Sequence, residues 1–432
     1  MHKRALILAP LLLATAAAPT EPQPDPARLK ATVAKLVSFG TRHTLSSQTD
    51  PKRGIGAAQH WVAAQFGKIG KDCGGCITVE RLADHVTGDR LPPAGVELAD
   101  ILGIQKGSDP NRYVIVSGHI DSRVTDVMNA TSDAPGANDD GSGVALVLEA
   151  ARLLSHRHFR ATIVYAAVAG EEQGLYGSTL LAKTAKARGW QVDAMLNNDI
   201  VGNTMGQNGV RVADRVRVFS EGIRASEDLK QQMVRRAIGG EDDGPSRALA
   251  KAIDGLAATL PGGLDVFVNR RPDRFGRGGD HEPFLDLGYP AVRFSVGAEN
   301  WTQQHQDLRT GGGVVYGDTI DRMDFPYLAK VTAINVATLA RIAGAPPAPG
   351  GVTIAGALSF DTTVKWQAVP GAVGYRVHWR RNDAQDWTKS LDVTGTQTVL
   401  KNVPVDDNFV GVSALGADGS ESLVSFAGAG RD

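Results

Sequence analysis

The sequence predicts an α/β fold whose mostly parallel or mixed central sheet carries helices on both faces, followed by a small all-β sandwich. Three observations carry this expectation. Between residues 26 and 344, apolar β-rich runs alternate with helical stretches, as in a sheet covered by helices. Residues 345–351 are a Pro/Gly hinge. Beyond the hinge, short alternating strands are separated by turn residues, the pattern of a β-sandwich.

Taken in order, the first element is a leader. Lys3 and Arg4 precede an apolar run over residues 5–18, broken by Pro10 and Thr15. That is short of the about 20 residues a bilayer span requires. A basic start, an apolar middle and small residues at Ala14, Thr15 and Ala16 predict a signal peptide over residues 1–18. The expected destination is secreted or periplasmic, without stable membrane insertion. Residues 19–26 read as a flexible lead-in. Cys73 and Cys76 are the only cysteines. In a reducing cytosol they would be a redox dithiol or half a zinc site. With no second pair and an oxidising destination, a local disulfide is expected.

Residues 112–117 predict a strand leading into a Gly/Asp loop. Val144, Val147, Leu148, Ala151 and Leu154 then recur at helical spacing, predicting a helix over residues 144–154. Further strands are expected at 161–168, from 194, at 264–268 and at 291–294, and an amphipathic helix over 325–343. After the linker at 346–351, strands are expected at 364–366, 375–379, 398–400 and 409–413. The expected division is therefore an α/β unit over 19–345 and a sandwich over 352–432.

Composition narrows the function class. With 42% hydrophobic and 22% charged residues, the chain is globular rather than disordered. A formal net charge of −1 lacks the basic excess that neutralises phosphates, so no nucleic-acid partner is expected. Two cysteines exclude a disulfide scaffold or a cysteine-rich zinc module.

Five segments place acids or histidines just beyond apolar strands: His119 with Asp121, Asp139 with Asp140, Glu171 with Glu172, Asp199, and His305 with Asp307. Each alone has an ordinary reading as a satisfied polar residue, a solvated surface pair or a helix cap. Together they sit where open α/β sheets gather ligands. Two imidazoles among carboxylates favour Zn²⁺ over Mg²⁺ or Ca²⁺.

In chain order, His119-x-Asp121, Gly136-x-x-Asp139-Asp140-x-Ser142-Gly143, Glu171-Glu172, Asp199 and His305 resemble the motif series of the secreted di-zinc aminopeptidase family. Zinc carboxypeptidases of the glutamate-carboxypeptidase type and glutaminyl cyclases are its relatives. The resemblance spans roughly residues 30–343. It includes Gly279-Asp280-His281 and Gly288-Tyr289-Pro290-Ala291, near the substrate pocket in that family. It implies a zinc-exopeptidase type of fold and two Zn²⁺ ions bridged by Asp139. One ion would be completed by His119 and Asp199, the other by Glu172 and His305. Glu171 would be the general base and Asp121 the carboxylate partner of His119, while Asp280, His281 and Tyr289 would belong to the substrate pocket. After His305 the pattern departs: residues 307–316, with Gly311, Gly312 and Gly313, intervene before Asp318 and Thr319.

The resemblance thus implies a secreted metallo-exopeptidase acting on the N-terminal residues of peptide substrates. A zinc carboxypeptidase or dipeptidase on the same site is the alternative, with Arg271, Arg274 and Arg277 offering a carboxylate clamp. A third reading is a non-enzymatic binding protein on a peptidase scaffold, against which the intact Glu171 and ligand positions speak. The sandwich resembles a fibronectin type III module in Trp366, Tyr375 and Gly419-Ser420-Glu421-Ser422, and departs at Phe409, where such modules place a corner tyrosine. It would contact a surface or polymer, or stabilise the enzyme.

Overall fold

The computed structural model describes residues 23–430; the leader expected over 1–18 lies outside the described residues. Helices α1 (Pro26–Val37) and α2 (Ile55–Asp72) precede strands β1 (Ile77–Val86), β2 (Val96–Gln105) and β3 (Arg112–His119). Next come α3 (Gly141–Leu154), β4 (Thr162–Val168), the single turn α4 (Glu171–Gly174), α5 (Tyr176–Ala187) and β5 (Gln191–Asn198). β6 (Arg215–Phe219), α6 (Leu229–Ala237), α7 (Pro245–Ala257), β7 (Asp265–Asn269), α8 (Glu282–Asp286), β8 (Ala291–Val296) and α9 (Phe325–Gly344) follow.

The eight strands form one mixed sheet in the order β1-β2-β4-β3-β5-β8-β6-β7. Its centre, β4-β3-β5-β8, is parallel, while β1 and β2 add an antiparallel edge. Alternation along each strand divides the core. Ile163, Tyr165 and Ala167 of β4 join the cluster containing α1, α2, α3, α7 and α9. Val164, Ala166 and Val168 join a second cluster with α5 and α8. Helices therefore cover both faces, as the alternation in the sequence predicts.

The expected strands and helices are present, most of them extended by a few residues. β1, β2 and β6 were not expected. Strand β1 lies at the sheet edge and is largely exposed, so its residues carry no burial pattern to read. The disulfide Cys73–Cys76 is formed, closing the turn between α2 and β1.

Beyond residue 352 the strands make two four-stranded sheets, almost wholly antiparallel. Trp366, Tyr375, Val377, Val410 and Val412 build a separate core between them. Phe409 packs edge-on to Phe426 at 5.4 Å. The hydroxyl of Tyr375 accepts from the Val369 amide at 2.8 Å.

Candidate metal centre and active site

Four strand ends converge at the centre of the sheet. His119 is the last residue of β3, Glu171 and Glu172 open α4 after β4, and Asp199 follows β5. Asp139 precedes α3, and His305 reaches in from the loop after β8. The crossing of β3 by α3 is unusually close. A Cβ on Gly143 would stand 2.2 Å from the Asn198 carbonyl, and one on Gly118 would stand 2.5 Å from the Gly143 backbone. Only glycine permits this approach, and it brings the start of α3 down onto the strand ends.

Asp140 secures that start. Its carboxylate caps α3 by accepting from the Gly143 amide at 2.8 Å and also accepts from the His119 amide at 2.9 Å. Asp318 accepts from the amides of Asn138 and Asp139. Both neighbours of Asp139 are thereby tied down.

Two groups of potential ligands result, and they share one residue. His119, Asp139 and Asp199 offer atoms mutually within 4.8 Å, as do Asp139, Glu172 and His305. His119 Nε2 lies 3.1 Å from Asp139 Oδ1, and His305 Nε2 lies 3.0 Å from Asp139 Oδ2 and 3.1 Å from Glu172 Oε1. These contacts are close, yet His119 Nε2, Glu172 Oε1 and Asp199 Oδ1 are buried without a partner in hydrogen-bond geometry. Buried polar atoms are rarely left so. A cation in each group would satisfy them, one beside His119 and Asp199 and one beside Glu172, and the mixed N/O donor set suits zinc. Burial opposes charge on the imidazoles, but the carboxylates outweigh it. His119 is raised well above its ordinary value by Asp121, Asp139 and Asp199, and Glu172 and Asp139 push His305 up to about 10. The field at this point therefore favours positive charge. His305 holds a left-handed backbone, φ 53°, a conformation uncommon outside glycine and concentrated at functional sites.

Asp121 serves a different atom from the one expected. His119 Nδ1 lies 3.1 Å from the Asp121 backbone carbonyl and 3.6 Å from its carboxylate. The carboxylate instead accepts from the amides of Glu171 and Glu172 at 3.3 and 3.2 Å and from the Thr44 hydroxyl at 3.1 Å. It therefore orients both the histidine and the Glu-Glu turn. The Glu171 side chain makes no hydrogen bond to another described residue and faces a cavity of about 390 Å³. Burial, followed by Glu172, Asp199 and Asp280, raises its carboxyl well above the usual range against the pull of His119.

Asp280 and His281 are fully buried, and neither they nor Tyr289 line this cavity. His281 bonds the Pro272 carbonyl at 2.7 Å, and Tyr289 packs against Phe284. Arg271 is also absent from the lining, whereas Arg274 and Arg277 belong to it. A larger hollow of about 820 Å³ lies between α6 and the C-terminal strands, but it contains neither ligand group.

Two cations escaped the sequence reading. Arg123 donates to Glu172 Oε2 at 2.8 Å and meets His305 Nδ1 at 2.7 Å. Arg293, fully buried on β8, contacts Asp199 Oδ2 at 2.9 Å and Asp273 at 3.0 Å. The only signal for Arg293 was a lone arginine inside an apolar strand, a residue seldom buried without a partner. The departure after His305 is an exposed hairpin, Arg309–Gly311 with Val314–Tyr316, whose turn residues Gly312 and Gly313 both have positive φ.

Residues 100–325 match the model of peptidase family M28. The chain is 44% identical over 400 residues to a probable zinc metalloprotease of Leptosphaeria maculans, an alignment covering 91% of this chain and 92% of that protein. Its fold is similar to that of an aminopeptidase from Aneurinibacillus sp. strain AM-1, with TM-score 0.51 and 16% identity over 74% of this chain and 95% of that one. It is equally similar to Porphyromonas gingivalis glutaminyl cyclase, with TM-score 0.51 and 18% identity over 73% and 98% of the two chains. At such identities the structural likeness establishes the fold.

Proposed function

The chain belongs to peptidase family M28 as a zinc metallopeptidase, and from that premise we propose an exported aminopeptidase with a two-zinc centre and Glu171 as general base. The observation that carries this is the pair of ligand groups meeting at Asp139 beside a glutamate whose side chain faces the cavity unbonded. His119, Asp139 and Asp199 would hold one ion, and Asp139, Glu172 and His305 the other. Zinc bound there supplies Lewis acidity, polarising a substrate carbonyl and acidifying water without redox change.

The protein's own groups do the rest. Arg123 neutralises and orients Glu172, and Arg293 Asp199, from behind, as outer partners of metal ligands do. Asp121 holds the turn so that Glu171 projects into the cavity. Glu171 takes a proton from water and returns it to the leaving amine, so that one water is consumed and an amino acid and a shortened peptide are released. The surplus of carboxylates favours a substrate's protonated α-amine, which supports cleavage from the N-terminus. The leader expected over 1–18 and the Cys73–Cys76 disulfide support export. The strands after residue 352 form the second unit, similar to a fibronectin type III module.

The test compares aminoacyl p-nitroanilides with their N-acetylated analogues, with and without chelator. Chelator-sensitive turnover of the free amines alone is expected. Equal turnover of blocked substrates would overturn the aminopeptidase reading.

A further inference from the structure

The walls of the same cavity carry information about what enters it. Four of its lining residues are arginines, Arg90, Arg123, Arg274 and Arg277, and the one large apolar side chain is Leu175. Arg123 is committed to Glu172 and His305. Outside the ligand groups, an incoming side chain therefore meets Arg90, Arg274, Arg277 and Glu282, with two glycines and Leu175. A hydrophobic side chain gains binding energy in proportion to the apolar surface that covers it, and this wall offers little.

Arg90 and Arg277 also have donors to spare, whereas Arg274 engages all three nitrogens, with Asp273, Glu299 and the Gly278 carbonyl. Arg90 projects from the β1–β2 connection, and its Nη1 donates to the Glu172 carbonyl at 3.2 Å; it has no carboxylate partner among the described residues. Arg277 uses Nη1 for both of its bonds, to Glu299 at 2.9 Å and Gln304 at 3.4 Å. Glu299 is itself shared by Arg217 at 2.5 Å and Arg274 at 3.2 Å. Three guanidinium groups thus divide one carboxylate. Arg274 turns to Asp273 as well, at 3.0 Å, and Arg293 competes for that residue. The rim is short of negative charge. The opposing group on the wall is Glu282, whose carboxyl burial, with Asp273 and Asp286, pushes up to about 7, which makes it easier to neutralise than an ordinary carboxylate.

We propose that this rim recognises a carboxylate on the substrate, received by Arg90 and Arg277, so that the enzyme selects acidic or short free-acid peptides over apolar ones. The inference rests on the aminopeptidase reading. A carboxylate matches the planar guanidinium fork and makes charge-assisted hydrogen bonds. Two sources can supply it, the side chain of an acidic residue or the C-terminus of a dipeptide.

Two matched pairs separate these sources in the zinc-loaded, full-length enzyme: glutamyl against glutaminyl p-nitroanilide, and Leu-Gly against Leu-Gly amide. In at least one pair, kcat/KM should favour the acid by roughly 10–100-fold, the size of one charge-assisted contact. The pair that responds names the source. Arg277→Ala and Arg90→Ala should move that ratio towards one, and Glu282→Gln should raise it. Equal or better use of the neutral member in both pairs removes this inference and leaves the aminopeptidase reading intact. Turnover of none of the four removes that reading, and this inference with it.

Discussion

Two clusters of acids, one partly and one wholly buried, show how differently this chain treats charge. Asp242 and Asp243, at the contact between the α/β unit and the C-terminal strands, are fully answered. Asp242 meets Arg270 at 2.9 Å, Lys251 at 3.0 Å and Arg380 at 2.7 Å, while Asp243 meets Lys251 at 3.1 Å and also Arg380. Around Asp139 the opposite holds, because carboxylates and imidazoles face one another and three of their atoms stay unpartnered. The first cluster is a lock between two parts of the molecule. It is reinforced where Gly239 lies so close to the Phe409 ring that a Cβ would stand 2.6 Å away. The second is arranged around something the polypeptide does not itself supply. Burial of charge is common to both, and only its satisfaction tells structure from function.

Substitutions on the two sides should separate activity from stability. The largest effect is expected from Glu171→Gln, which should lower kcat by about 10²–10⁴-fold with zinc content by metal analysis unchanged; retained turnover would remove Glu171 from its role. On the locked side, Arg380→Met leaves buried Asp243 and half-buried Asp242 short of a cation. It should cost about 3 kcal/mol in chemical unfolding while leaving kcat on small substrates near its original value. A loss of activity without a loss of stability would collapse the distinction.

Between these extremes lies Arg123→Gln, which removes the cation behind Glu172 and His305. Zinc affinity, measured by competition with a chromophoric chelator, should fall roughly 10–100-fold, and unchanged affinity would make Arg123 a bystander.

The smallest effect belongs to Glu421 in the C-terminal strands. Burial works against its charge, but His378, Ser413 and Arg376 hold its carboxyl down at about 2. A depressed carboxyl contributes its stability above the unfolded value near 4.5 and loses it as pH falls towards 2. Glu421→Gln should therefore be destabilised by about 1–3 kcal/mol at pH 7, with the gap in unfolding midpoint closing at pH 2. A gap independent of pH would assign the loss to packing instead.

Most of the legible parts of the site lie within a few residues of a strand end, whereas Asp139 and His305 were read from their places in the motif series. His119, Glu171, Glu172 and Asp199 follow apolar runs directly, so strand pattern and ligand chemistry could be read together. Arg123, Arg293 and Arg90 were harder, since each acts on a group tens of residues away. Arg123 and His305 are 182 positions apart, and no local periodicity links them. Edge strand β1 escaped for a related reason, because exposure on most of its length removes the apolar alternation that marks a strand. Asp280 and His281 were read from their place in a motif, and both are fully buried outside the lining of the cavity.

The sequence by itself determined the α/β class, the order of the candidate ligand segments and the cysteine clip. These are carried by short-range patterns, such as a period of two in strands and 3.6 in helices. Only the tertiary structure decided which acids would be left unsatisfied, which arginines would stand behind the ligands and which would line the cavity mouth. Those outcomes depend on distances between strand ends and loops remote in sequence, set by the sheet order and the close glycine crossing of α3 on β3.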